Sequence, residues 1–97
     1  MLGVVNIIIS VKGDTVVDLS EADEIIVLDT VGRAVKHRIP KPFNIDLIED
    51  VAEEYGAEIL FAAGLPAPLR ELLEEAGIKI VLVGKKKYME VVDELFL

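Results

Sequence analysis

The chain contains no cysteine, which excludes disulfides, thiolate metal ligands and a cysteine nucleophile together. Tryptophan and glutamine are also absent, asparagine occurs twice and histidine once. An iron-sulfur or zinc site would have to draw on oxygen and nitrogen ligands, with a single imidazole available. Depletion of thermolabile residues beside abundant Glu, Lys, Ile and Val points to a thermophilic cytoplasm. Every apolar run is broken short of the roughly 18 to 20 residues that a bilayer span needs. The apolar start, Met1 to Val11, includes Asn6 and lacks a basic segment and a small-residue cleavage site. It reads as a buried strand, and no membrane partner is expected.

Positive charge is the scarcer sign. Ten Lys and Arg stand against 18 Asp and Glu, a net charge of -8. Phosphates are repelled at long range by such a surface, so free nucleic acid is not an expected partner. Eight of the ten bases fall in two short segments that hold no acid: Arg33, Lys36, Arg38 and Lys41, then Lys79, Lys85, Lys86 and Lys87. A solvated surface often produces such clustering by itself.

With 97 residues and 53% hydrophobic content the chain makes one domain, residues 1–97, around one core. Leu2 to Lys12 is a nearly continuous Val- and Ile-rich run, the pattern of a central strand covered on both faces. Gly13-Asp14 is a turn signal, and Thr15 to Asp18 suits a short edge strand. Glu24 to Thr30 and Ala34 to Ile39 read as strands of a hairpin joined by Val31-Gly32-Arg33. Pro40 and Pro42 then end the sheet. Asn44 is placed to cap a helix from Ile45 to Tyr55, and Gly56 to close it. From Glu58 onward two apolar runs are each followed by a glycine and an amphipathic helix, a βαβα unit. The first of these helices has Pro68 near its start, and its spacing buries Leu69, Leu72, Leu73 and Ala76 before Gly77 stops it. The last presents Tyr88, Val91, Val92 and Leu95.

Right-handed crossovers make the Ile59 and Ile80 strands parallel neighbours in a mixed sheet. An antiparallel start followed by parallel strands with three helices is the ribonuclease H-like arrangement, with about five strands. A doubly wound sheet with every strand parallel competes, and the Val31-Gly32 hairpin disfavours it.

Open α/β sheets bind ligands outside the C-terminal ends of their parallel strands. If the first strand is parallel to the last two, Ser10, Lys12 and Gly13, Gly64 to Pro66, and Gly84 to Lys87 emerge at one edge. Gly64 and Gly84 precede helices, whose free N–H groups favour an anion, and Lys12, Lys85 and Lys86 add charge. Ser10, Lys12, Gly64, Gly84, Lys85 and Lys86 are the candidate ligand-binding residues. Pro66 and Pro68 remove two donors from one side, so a glycine-rich phosphate cradle is not expected.

His37 alternates with Val35 and Ile39, so its imidazole is expected beside those side chains. A lone His is more often a boundary residue bonded to backbone than a metal ligand. A two-metal nuclease would need several carboxylates, one of them on the central strand, which offers only Asn6 and Ser10. Asp29 and Glu49 are isolated acids. No nucleophile elbow surrounds Ser10 or Ser20, and no catalytic residue or metal ligand is assigned. The apolar Phe96-Leu97 terminus and the high apolar fraction of a small domain make a homodimer reasonable.

The run Asp23 to Asp29, the hairpin, and Gly56-Ala-Glu-Ile-Leu-Phe-Ala-Ala-Gly64 through Leu69, Leu72 and Ala76-Gly-Ile-Lys-Ile80 resemble the dinitrogenase iron-molybdenum cofactor biosynthesis family. These are the NifX/NafY-like small proteins, which have a ribonuclease H-like fold. The resemblance implies noncovalent carriage of a metal-sulfur cofactor or precursor, without catalysis. Members often carry a His-Phe-Gly-Arg segment before the second long strand, where this chain has Leu19-Ser-Glu-Ala-Asp-Glu24. A usual second glycine after Gly64 is replaced around Pro66, and no family ligand position falls on His37. The expected function is a small non-catalytic binding protein for an anionic or metal-sulfur ligand of unknown identity. The alternative is an interaction or regulatory module acting as a cofactor-free homodimer.

Overall fold

The computed structural model describes residues 5–95. The beginning of the first apolar run and the Phe96-Leu97 terminus lie outside the described residues. Among the described residues the strands are β1 (Asn6–Lys12), β2 (Thr15–Val16), β3 (Glu24–Asp29), β4 (Ala34–Pro40), β5 (Ile59–Ala62) and β6 (Lys79–Leu82). The helices are α1 (Ile45–Tyr55), α2 (Ala67–Glu75) and α3 (Tyr88–Leu95).

The sheet order is β4-β3-β1-β5-β6, with β2 paired to β1. β1 runs antiparallel to β2 and β3 and parallel to β5, and β5 runs parallel to β6. This is the expected mixed sheet with an antiparallel start and a parallel end, and it rules out the all-parallel alternative. β1 is central because both its faces are apolar. Ile7, Ile9 and Val11 pack with Val91 and Val92 of α3, while Ile8 packs with Ile48 of α1 and Leu73 of α2.

Local sequence sets the helix ends. Asn44 Oδ1 accepts the Leu47 N–H at 2.8 Å, the geometry of an N-cap. Gly56 takes a left-handed φ of 64° and closes α1. α2 ends at Glu75 with Ala76 as its cap, and Gly77 supplies the positive φ just beyond. In the β3–β4 loop, Asp29 Oδ1 accepts the N–H groups of Val31 and Gly32 at 2.9 and 3.0 Å. A Cβ at Gly32 would lie 2.9 Å from Asp29 Oδ2, so glycine is required there by close approach. The left-handed residue of the loop is Arg33, with φ 55°.

Three expectations need correction. Leu72 and Ala76 are exposed, Leu72 at 50%, because α2 lies over the edge strand β6 and buries only a narrow stripe centred on Leu73. Leu95, expected on the packed face of α3, is 47% exposed. The third concerns His37. Val27 pairs with His37 but Leu28 pairs with Val35, so Lys36 is the extra residue of a bulge. The bulge breaks the alternation of side chains along β4. Val35 therefore packs with the α3 cluster, whereas Ile39 packs with Val51 on the α1 side. The exposed His37 ring stacks on Tyr55 of α1, with centroids 5.6 Å apart, in place of the expected backbone bond.

Candidate functional site

The C-terminal ends of β1, β5 and β6 gather at one rim, as the parallel pairing of β1 with β5 requires. Lys12 ends β1, Gly64, Gly84, Lys85 and Lys86 follow the ends of β5 and β6, and Ser10 lies just inside. The segment from Gly13 to Asp23 folds over this rim as a strap. Its backbone is held on both sides: Val16 N–H donates to Lys86 O at 2.7 Å, Leu19 N–H to Gly64 O at 2.9 Å, and Ala63 N–H to Val17 O at 3.1 Å. Tyr88 N–H at the start of α3 donates to Asp14 O at 3.0 Å, and Thr15 bridges to Lys87.

Individual residues then take distinct positions. Ser10 is fully buried beneath the strap, and its hydroxyl donates to Val17 O at 2.7 Å. Lys12 is exposed, with no ion-pair partner among the described residues. A side chain at Gly84 would meet open space, so its flank is accessible. Gly64 is different. A Cβ there would lie 2.6 Å from Asp18 Oδ2, so a side chain at this position would have to turn the strap carboxylate aside. Asp18 Oδ1 accepts the Ser20 N–H at 2.9 Å and the Ser20 hydroxyl at 2.8 Å. These bonds, backbone first, hold the Asp18 carboxyl below its ordinary range despite some opposing desolvation, and the charge of Lys85 adds to the effect.

Lys85 Nζ lies 3.2 Å from Glu21 Oε2, and Lys86 Nζ is 2.6 Å from Glu94 Oε1. Strap and α3 acids thus answer the rim bases. The other basic segment is paired in the same way: Arg33 with Asp93, Arg38 with Glu24, Lys41 with Asp23 at 3.6 Å, and Lys36 with Asp29 at 3.9 Å. Such exposed pairs stabilise little, but they cancel much of the field that clustered bases alone would produce.

Two concavities bear on ligand binding. One, of about 160 Å³, lies between the starts of α1 and α2 and is walled by Leu19, Phe43, Ile48 and Leu69. The other, of about 670 Å³, is an open groove at the opposite end of the sheet, where α1 and α2 finish. Glu49, Glu53 and Glu58 line it, and the negative ends of two helix dipoles point there. It is therefore unsuited to an anion, although it is the larger. Among the described residues no group of three or more His, Cys, Asp or Glu could hold a metal ion. The donor set of the described residues does not fit a metal or cluster ligated directly by this chain.

Sequence reasoning brought the rim residues together but missed Asp18 and Glu21. No spacing signal marks them, because the strap meets Gly64 and Lys85 only through the fold. The one trace in the sequence is the glycine itself.

No family model matches the chain, and no curated protein sequence matches it. Solved structures do. The crystal structure of PH0822 aligns with a TM-score of 0.70 at 18% identity, over 93% of this chain and 88% of that one. A Thermotoga protein provisionally named as NifB (TM1290), described as belonging to the DUF35 family, aligns with a TM-score of 0.68 at 20% identity, over 95% and 87% of the two chains. A Methanococcus jannaschii protein provisionally named as a dinitrogenase (MJ0327) aligns with a TM-score of 0.67 at 11% identity, over 98% and 88%. At these identities the likeness establishes a shared mixed α/β fold across nearly the whole domain.

Proposed function

We propose that the chain is a small binding protein with no catalytic step, which carries an anionic ligand of the metal-sulfur cofactor kind noncovalently at the strand-end rim. The observation that carries this reading is the convergence of three parallel strand ends with Lys12, Gly84, Lys85 and Lys86 at one edge, where Lys12, Gly84 and Lys85 are exposed. Solved structures of the same fold carry nitrogenase-related names, which supports a ligand of this class, and the ribonuclease H-like reading of the fold belongs to the same proposal. With no cysteine and no metal-holding cluster among the described residues, the ligand keeps its own inner ligands and is held by charge. That predicts weak, salt-sensitive binding.

A second reading is a cofactor-free homodimer. The observation favouring it is that, among the described residues, β6 pairs only with β5, leaving an outer strand edge beside the half-exposed Leu82. Anaerobic incubation with iron, molybdate and sulfide, followed by gel filtration and metal analysis, separates the two. Metal co-eluting with the protein and lost on replacing Lys85, Lys86 and Lys87 by Met supports carriage. A metal-free dimer whose population rises with concentration supports the second reading.

A further inference from the structure

Asp18 stands between two residues of the rim. Its Oδ2 lies 2.6 Å from where a Cβ on Gly64 would sit, and its charge is felt by Lys85. Only Oδ1 is engaged by Ser20, and Oδ2 has no hydrogen-bond donor among the described residues. Glu21, three residues further along the strap, takes the Lys85 ammonium at 3.2 Å. The strap thus lays two acids of its own along the edge where strand ends and lysines gather.

Resting on the rim proposed above, the geometry points to Asp18 as the residue that selects ligand charge at the Gly64 end: its carboxylate acts as an internal anion that a small free anion must displace or avoid. Two negative charges roughly 4 to 5 Å apart near a protein surface repel each other strongly enough to change affinity by tenfold or more. The carboxylate is ionised at neutral pH, since its Ser20 contacts favour the charged form. An anion bound beside Lys85 also competes with Glu21 for the same ammonium. Wild-type protein therefore holds a small oxyanion only at the outer, Gly84 side of the rim, and weakly. A larger ligand whose charge is spread over many atoms is less affected, because its contacts extend to Lys12 and Lys86 as well.

The test uses Asp18→Asn, which keeps an oxygen in place to accept the Ser20 N–H while removing the charge. Molybdate binding is measured by equilibrium dialysis at low salt and pH 7.5 for wild type, Asp18→Asn and Asp18→Asn/Lys85→Met, with thermal melts confirming that each is folded. The expected result is at least tenfold tighter molybdate binding by Asp18→Asn, lost again in the double variant. Equal affinity of wild type and Asp18→Asn overturns the role of Asp18 while leaving the rim as a binding site. No molybdate bound by either protein overturns both this inference and the anion-binding rim on which it rests.

Discussion

A methyl group on residue 64 would lie 2.6 Å from Asp18 Oδ2, well inside carbon–oxygen contact. Gly64→Ala should therefore turn the Asp18 carboxylate away from its Ser20 contacts and cost about 1 kcal/mol or less. Much of that loss should return in Gly64→Ala/Asp18→Ser, because serine shortens the intruding side chain. Urea unfolding of the four proteins of this double-mutant cycle measures the coupling, and strict additivity would mean that the contact is absent. Asp18 also carries a pH signature. Its folded-state pKa lies below the ordinary value of 3.8, so its contribution to stability is present above that value and is lost as pH falls through the lower, folded value. The melting-temperature advantage of wild type over Asp18→Asn should thus shrink between pH 4 and pH 2, and an unchanged difference would contradict it. Residues whose role is local were legible in the sequence. Asn44 and Gly56 cap α1 as their identities predict, and Asn44→Ala should cost about 1 kcal/mol. Asp18 was not legible, since its partner lies 46 positions further along the chain and is a glycine, which has no side chain to advertise the contact.

Elements were readable where burial is two-sided and less so at the margins. The run through β1 could only be central, because apolar side chains on both faces demand cover from both sides, and α1 with α2 and α3 provide it. The amphipathic stripe of α2 is wider in the sequence than the face the helix buries. A helix seated above an edge strand has less to bury, so the Leu72 stripe position faces solvent while Leu73 is fully enclosed. Leu73→Ala should cost about 2 to 5 kcal/mol, whereas Leu72→Ala should stay within about 0.5 kcal/mol of wild type. Chemical denaturation reads both, and equal losses would mean that α2 is rotated about its axis. The bulge at Lys36 is a similar case on β4. Strict alternation put His37 beside Val35, and one additional residue sent Val35 towards α3 while His37 stayed over Tyr55. Nothing in a strand's composition announces a single-residue insertion in its ladder.

At the scale of the molecule, the order of strands and helices constrained the topology well because few connections satisfy a hairpin, two right-handed crossovers and a central apolar strand at once. The same topology brought Lys12, Gly64, Gly84, Lys85 and Lys86 to one rim. What the sequence could not convey was the strap across that rim and the pairing of six of the eight clustered bases with an acid from another element. A protein of net charge -8 thereby keeps its few positive groups balanced, with Lys12 and the Gly84 flank as the open part of the edge. No helix among the described residues is long and apolar enough to cross a membrane. Binding at a rim of this kind, by charge and without inner-sphere ligands, is the central claim. Its most direct measurement is the metal stoichiometry of protein incubated anaerobically with iron, molybdate and sulfide and recovered by gel filtration, comparing wild type with Lys85→Met/Lys86→Met/Lys87→Met. The account predicts metal on the wild-type protein, shed at raised salt and absent from the triple variant. Metal retained equally by both proteins, or by neither, would contradict it.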